Sequence, residues 1–396
     1  MILRYIRGKI FLFDNIFTMF PLTIIWKNLY NREEVLYIYI NFVQQEVGYM
    51  KALVFEELNR VKLKDVAKPV LVNETDVIVK VKLTTICGSD VHFMQGHVPI
   101  TPGHTLGHEY VGEIEQVGSA VKDFKPGDRV VGASVLFCGQ CERCLAGHIY
   151  RCLNGGVFGA GPEYGGLNGS HSEYMRIPHA DASLLHIPDE LSDEQALFVG
   201  DILSTGYFAT EKGSVIPGDT VVVFGAGPVG LCAVITAKLF SPKQIILVGR
   251  KDEFRLEMGK KLGATHTILS SKEDVLETIH KLTGGEGADV AIDAAGSETT
   301  LHQASCCLGI GGRLSIAGLP GPTASLPMFE LFSKNVRIEM GLVDLHHMKR
   351  LLKLIQSGQV DLSPLITHRM KLDQMEEAME LFASRKENVI KVAITP

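Results

Sequence analysis

The sequence predicts an α/β protein in two parts, a β-rich region followed by a doubly wound parallel sheet. Three observations carry this. From Met50 to about Glu173, short alternating or apolar runs such as "DVIVKVKL" and "YVGEIEQVG" are split by Gly, Pro and Asp, the pattern of small strands. From about Asp219, short apolar strands ("TVVVF", "QIILVG", "ADVAID") alternate with helical stretches such as "DEFRLEMGKKLG", which implies a parallel sheet with crossover helices. Between the first of those strands and an apolar helix lies the glycine turn "GAGPVG". At 396 residues the chain exceeds the size, about 250–300 residues, at which single cores stop growing, so it holds two or more domains. A net charge of −6 without a basic block excludes a nucleic-acid footprint.

Residues 1–49 differ from everything after them. They are crowded with Ile, Phe, Tyr and Asn, hold the only tryptophan (Trp26), and end just before Met50 in "MKALVFEE". The apolar stretch from Ile10 to Trp26 is broken by Asp14-Asn15 and Pro21, whereas a spanning helix wants about 20 largely uninterrupted apolar residues. The segment is read as an extension foreign to the fold, from a start assigned upstream in error. A membrane-associating tail is the rival reading.

In "FCGQCERCLAGHIYRC" four of the eight cysteines fall within residues 137–152. Disulfides, an iron–sulfur cluster and a tetrahedral zinc are the available answers. Eight cysteines in so long a chain, with Cys232, Cys306 and Cys307 isolated in apolar surroundings, fit a reducing cytosol better than a disulfide framework. Cys138, Cys141 and Cys144 run C-x2-C-x2-C, but Cys152 follows late and Leu153 stands where a cluster motif places proline. That favours a closed structural zinc, with Gly139 and Gly147 letting the chain wrap around it.

The turn Gly225, Gly227, Pro228, Val229, Gly230 has the context that gives G-x-G-x-x-G its mechanism: a tight bend, backbone close to a pyrophosphate, and a helix N-terminus aimed at the anion. Pro228 is harmless in a first helical turn. A ribose-gripping carboxylate is expected at the end of the next strand, yet the strand ends at Gly249, followed by Arg250 and Lys251. Two cations without that carboxylate predict NADP(H) in preference to NAD(H). Asp252 and Glu253 are expected as helix N-terminal charges instead.

Two further stretches bear possible ligands: "TTICGSDVH" (Cys87, Ser89, Asp90, His92) and "GHTLGHEYVG" (His104, His108, Glu109). With "DFKPGDRV", the four-cysteine lobe and "DILSTGY" (Asp201 to Tyr207), in this order, the chain from about Met50 onward resembles the zinc-dependent medium-chain alcohol dehydrogenases. The resemblance implies a chaperonin-10-like (GroES-like) catalytic domain over residues 50–202, a Rossmann dinucleotide-binding domain over 203–339, and a return of 340–396 to the catalytic domain. It implies a catalytic zinc held by Cys87, His108 and Asp201, where other members carry cysteine at the third position. Glu109 as a fourth ligand would make that site net negative, so it is expected beside the zinc or as a transient ligand. Asp90 is expected to receive the other imidazole N–H of His108.

An open position on such a zinc acidifies a bound alcohol and, in reverse, polarises a carbonyl. The resemblance then supplies a proton relay from Ser89 through the nicotinamide ribose to His92. Thr205, Ala295 and Gly296 are expected to flank the nicotinamide, and His97, His104 and His179 to be ordinary loop residues. The expected protein is a cytoplasmic homodimer or homotetramer acting on a small alcohol or its aldehyde or ketone, with polyol, threonine or formaldehyde dehydrogenation using NAD as alternatives. A zinc-free quinone or enoyl reductase and a non-catalytic binder are the rivals of other classes. Neither needs both metal sites.

Overall fold

The computed structural model describes residues 5–6, 9–10, 48–321 and 323–396. The chain divides into two units, Met1–Tyr49 and Met50–Pro396. In the first, Tyr5–Ile6 pairs antiparallel with Lys9–Ile10. The readings made of residues 1–49, a foreign extension or a membrane-associating tail, fall almost wholly outside the described residues. Among the described residues no helix is long and apolar enough to cross a membrane.

From the boundary residue Tyr49 onward, β1 (Tyr49–Glu57) pairs with β2 (Arg60–Ala67). There follow β3 (Val77–Thr85), α1 (Gly88–Met94), β4 (Glu109–Val117), β5 (Arg129–Gly132), β6 (Tyr174–Ile177), β7 (Leu184–His186) and α2 (Ile202–Lys212). The alternating region continues with β8 (Thr220–Phe224), α3 (Pro228–Lys238), β9 (Gln244–Gly249), α4 (Glu253–Leu262), β10 (His266–Leu269), β11 (Ala288–Asp293), β12 (Leu308–Ile316) and β13 (Arg337–Met340). The chain closes with β14 (Ile366–Lys371), α5 (Met375–Ser384) and β15 (Lys391–Thr395).

Two sheets organise these elements. The first has seven strands in the order β7–β5–β4–β3–β15–β14, with β6 also on β3. The C-terminal helix-and-strand joins this sheet: Ala393 and Ile394 of β15 pair antiparallel with Thr85 and Thr84 of β3. That pairing carries Lys391 into the interior beside the ends of β3 and β4.

The second sheet has six strands, all parallel, in the order β10–β9–β8–β11–β12–β13. Every residue of β8 and β9 is buried, as parallel strands covered on both faces must be. The period of two sends Val221 and Val223 of β8 into one core cluster and Val222 and Phe224 into another. Strand order reverses at β8, whose neighbours are β9 and β11, and in open α/β sheets ligands bind at the carboxyl ends beside such a reversal.

Candidate active site and metal centres

Strand pairing assembles the first centre. Thr85 of β3 lies opposite Glu109 of β4, so the chain just past β3 meets the chain just before β4. Cys87, the N-cap of α1, is thereby set against His108, and Asp201 arrives as the N-cap of α2. Ligand atoms of Cys87, His108, Glu109 and Asp201 all lie within 4.8 Å of one another. Cys87 Sγ stands 3.5 Å and His108 Nε2 3.6 Å from Asp201 Oδ2. Donors around a tetrahedral zinc are separated by about 3.3–3.8 Å, so a thiolate, an imidazole and a carboxylate at this spacing fit the metal.

The electrostatics fit it as well. Burial, then the Asp201 and Glu109 carboxylates, push the Cys87 thiol up. Burial opposes a charged His108, yet Asp90 and Cys87 outweigh it and hold the imidazole well above its usual value. Three ionisable acids, Cys87, Glu109 and Asp201, thus meet around His108 largely away from solvent, the environment that a dication relieves.

Glu109 shares this pocket with one of its two oxygens engaged. Its Oε1 lies 2.5 Å from Lys391 Nζ, with neither side chain exposed, while its Oε2 is buried without a hydrogen-bond partner. Lys391 also donates to the Ile86 carbonyl at 2.8 Å. Sequence reasoning missed Lys391, although a lysine inside the apolar run "VIKVAI" was the available signal.

Asp90 corrects an expectation in part. Its Oδ1 is 3.6 Å from His108 Nδ1, outside hydrogen-bond length, and that nitrogen has no other partner. The carboxylate accepts instead from the Cys87 and Gly107 N–H groups, at 2.8 and 3.2 Å, and meets His171 Nε2 at 3.3 Å. His171 carried no signal within its glycine-rich segment. Ser89 Oγ lies 3.1 Å from His108 Nε2, on the edge of the donor cluster. His92, in the last turn of α1, is half-buried with Nδ1 3.1 Å from Nδ1 of His97, which lies exposed in the bend after the helix. Burial, then His97 and Arg385, lower the basicity of His92. His104 Nδ1 is buried without a partner, and His179 takes a positive φ of 49° before a short helix.

The four thiols of the lobe also converge, with their sulfurs within 4.8 Å. Cys141 Sγ and Cys152 Sγ are 3.8 Å apart, nearly twice a disulfide length and close to the edge of a zinc tetrahedron. Backbone N–H groups surround the sulfurs: Cys138 donates to Cys152 at 3.3 Å and Cys141 to Cys138 at 3.4 Å. Hydrogen bonds from the N–H groups of Leu153 and Cys144 bring the Cys141 thiol down to about 6, while burial pushes the Cys144 thiol up to about 12.

At the end of β8 the predicted turn is in place. Gly227 is the N-cap of α3 and Pro228 and Val229 open the helix. A Cβ on Gly230 would lie 1.8 Å from the Gly225 carbonyl oxygen, so only glycine lets the helix start so close to the strand. Ala295 stands against this turn, and Ala295 and Gly296 donate their N–H groups to Asp293 Oδ1 at 3.0 and 3.2 Å. Thr205 is turned back on its own helix, its hydroxyl donating to the Asp201 carbonyl at 2.9 Å. β9 ends at Gly249, and Arg250 and Lys251 are both exposed beyond it. Asp252 caps α4 by accepting the Arg255 N–H at 3.2 Å, the helix-terminal role expected of it.

Two clusters of metal-donor side chains and a dinucleotide turn in one chain define a class, and comparison with known proteins gives it a family. Residues 73–189 match the alcohol dehydrogenase GroES-like domain, and residues 228–357 the zinc-binding dehydrogenase domain. An alcohol dehydrogenase of Cupriavidus necator is 38% identical over 373 residues, covering 88% of this chain and 99% of the relative. A sorbitol dehydrogenase of Bacillus subtilis is 34% identical, covering 88% and 97%. Among solved structures, an alcohol dehydrogenase from Thermus sp. ATN1 superposes with a TM-score of 0.83 at 37% identity, covering 87% of this chain and 99% of that one. A zinc-binding dehydrogenase of Sinorhizobium meliloti bound to NADP (TM-score 0.80) and an alcohol dehydrogenase of Escherichia coli complexed with NADH (TM-score 0.79) are each 28% identical and cover 88% of this chain, with 100% and 99% of their own lengths matched. The chain belongs to the zinc-dependent medium-chain alcohol dehydrogenase family, and its class is that of an alcohol-oxidising, carbonyl-reducing enzyme.

Proposed function

We propose that the protein is a cytoplasmic two-zinc dehydrogenase that moves hydride between a small alcohol, or its aldehyde or ketone, and NADP(H), working as a homodimer or homotetramer. The observation that carries this is the meeting of Cys87, His108, Asp201 and Glu109 apart from the four-thiol lobe, one donor set mixed and the other all sulfur. Cys87, His108 and Asp201 would hold the catalytic zinc, with Glu109 beside them and paired to Lys391, and Cys138, Cys141, Cys144 and Cys152 the structural one. With a position left open, the first zinc supplies a Lewis acid for an alcohol or carbonyl oxygen. NADP supplies the hydride acceptor.

The remaining work falls to the chain itself. The turn from Gly225 to Gly230 and the N-terminus of α3 bind the pyrophosphate. Arg250 and Lys251, exposed and next to Gly249, take the 2′-phosphate. Ala295, Gly296 and Thr205 border the nicotinamide. The Ser89 hydroxyl accepts the substrate proton and passes it toward His92, whose Nε2 is the ring nitrogen not engaged by His97. Residues 50–202, 203–339 and 340–396 serve as catalytic domain, dinucleotide domain and return to the catalytic domain. The pairing of β15 with β3 supports the last of these.

A panel of primary and secondary alcohols, diols and aldehydes, assayed with both cofactors on protein of measured zinc content, tests the reading. Two zincs per chain and a higher kcat/KM with NADP are expected; one zinc or none, or turnover without metal, overturns it. NAD-dependent polyol oxidation is the second reading, favoured by the sorbitol dehydrogenase relative. A diol or polyol turned over best with NAD would establish it.

A further inference from the structure

Behind His108 lies a buried chain of polar groups that the proposed chemistry leaves unused. Its key member is His171, which has no exposed surface. The backbone holds it there: Gly169 donates to the Thr105 carbonyl at 2.9 Å, Ser170 to Gly107 at 3.0 Å and His171 to Leu106 at 2.9 Å. Residues 169–171 are thus laced along residues 105–107, the segment that ends at His108. Gly107 makes the room. At its φ of +98° a Cβ would fall 2.5 Å from the His171 Nδ1, so glycine at this position is what lets the imidazole lie beneath the ligand.

The ring has one partner on each side. Nδ1 is 3.2 Å from the Thr84 hydroxyl, and Nε2 is 3.3 Å from Asp90 Oδ2. An ionised carboxylate only accepts, so Nε2 carries its hydrogen and donates to Asp90. With the Cys87 N–H on Oδ2 and the Gly107 N–H on Oδ1, this third donor pins the carboxylate on both oxygens. The pinned Oδ1 is the atom that faces His108 Nδ1, at 3.6 Å.

We propose that His171 is a positioning residue for the first metal centre, fixing through Asp90 the tautomer and orientation in which His108 presents Nε2 to the metal. The inference rests on the reading of Cys87, His108 and Asp201 as zinc ligands. A metal-bound histidine needs its distal nitrogen protonated and held, and removing the groups that hold it typically weakens metal binding 10–100-fold. His171 acts one step further out, on the Asp90 carboxylate, whose Oδ1 faces the His108 Nδ1 at 3.6 Å as a charge rather than as a hydrogen-bond acceptor.

Zinc release from the purified holoprotein, followed with the indicator 4-(2-pyridylazo)resorcinol, tests this without reference to turnover. The first-site phase is identified as the one missing in Cys87→Ala, and the cysteine-lobe phase serves as internal control. His171→Gln places an amide N–H near the position of Nε2 and keeps the bond to Asp90. His171→Asn is too short to reach it. The Asn variant should lose first-site zinc 10–100 times faster than wild type, the Gln variant within about threefold of wild type, and the lobe phase should not change. Should the Asn chain not fold, His171→Phe, which keeps the ring and loses both nitrogens, takes its place. Equal release rates from the Gln variant and its comparator, fast or slow, overturn the proposal. A wild-type protein with no zinc phase assignable to Cys87 overturns the metal-centre reading itself, and this inference with it.

Discussion

Lys391 and Glu109 form an ion pair of 2.5 Å in which neither side chain touches solvent. They are 282 positions apart in sequence and meet because β15 and β4 both pair with β3. Burial opposes the charge on Lys391, but Glu109 and Cys87 outweigh it and hold the ammonium above its usual value. The counting of charge explains the need for it. Cys87, Asp201 and Glu109 as anions would leave a bound dication in a net negative site, and one buried ammonium restores neutrality.

Removing one partner of a buried pair strands the other, which costs about 3–5 kcal/mol, whereas removing both is far milder. Lys391→Met should therefore lower stability by about 3–5 kcal/mol in guanidinium unfolding, and adding Glu109→Gln should recover most of that loss. A double variant whose penalty is the sum of the single penalties would show that the two groups do not compensate each other.

Exposed Arg250 and Lys251 follow Gly249 directly, where a ribose-binding carboxylate would otherwise exclude a 2′-phosphate. A charge-assisted hydrogen bond to phosphate is worth about 1.5–3 kcal/mol, or roughly 10–100-fold in affinity. Arg250→Ala should lower kcat/KM for NADP by about that factor and leave the value for NAD within about twofold. Parallel losses with both cofactors would place the arginine away from the 2′-phosphate.

What could be read from sequence follows from how local each signal is. The turn Gly225 to Gly230 and the lobe Cys138 to Cys152 are contiguous, so spacing alone exposes their geometry. The mixed centre draws on Cys87, His108 and Asp201, far apart in the chain, and became legible only through motifs shared with a family. Lys391 and His171 were missed because their roles depend on strand pairing and on loop threading, neither of which leaves a periodic trace. Asp90 was expected to receive the His108 imidazole N–H, which stands 3.6 Å from it; the donors it does have include the Cys87 and Gly107 N–H groups, backbone atoms that no residue type announces.

Asp76 offers a pH dependence away from the metal. Its Oδ2 receives Arg176 Nη1 at 2.7 Å and the N–H groups of Asn73 and Val72 at 2.9 and 3.1 Å. Burial would raise its carboxyl, but the Arg176 bond and the backbone donors outweigh burial and lower it. The folded value lies below the unfolded one of about 3.9, so this stabilisation is fully present above that pH and is lost as pH falls through the folded value. Asp76→Asn should cost about 2 kcal/mol at pH 7 and progressively less below about pH 4. Urea midpoints at pH 7 and pH 3 measure it, and an equal penalty at both would assign the loss to packing.

The two metal centres should separate by what their loss removes. Cys87 belongs to a donor set with mixed chemistry, and its removal leaves the strands and helices around it with their own hydrogen bonds. Cys87→Ala should therefore hold one zinc per chain, keep a thermal transition within a few degrees of wild type and lose turnover. Cys141 instead sits in a lobe with few buried apolar side chains, Cys138, Cys144 and Ile149 among them, so the metal does there what a core does elsewhere. A loss of about 3 kcal/mol corresponds to roughly 10 °C in a domain of this size, and Cys141→Ala should lower the transition by at least about that much. Its residual activity at low temperature should exceed that of Cys87→Ala. Metal analysis, calorimetry and a cold assay on the same preparations decide the matter, and two variants that behave alike in all three would mean that the centres do not divide the labour.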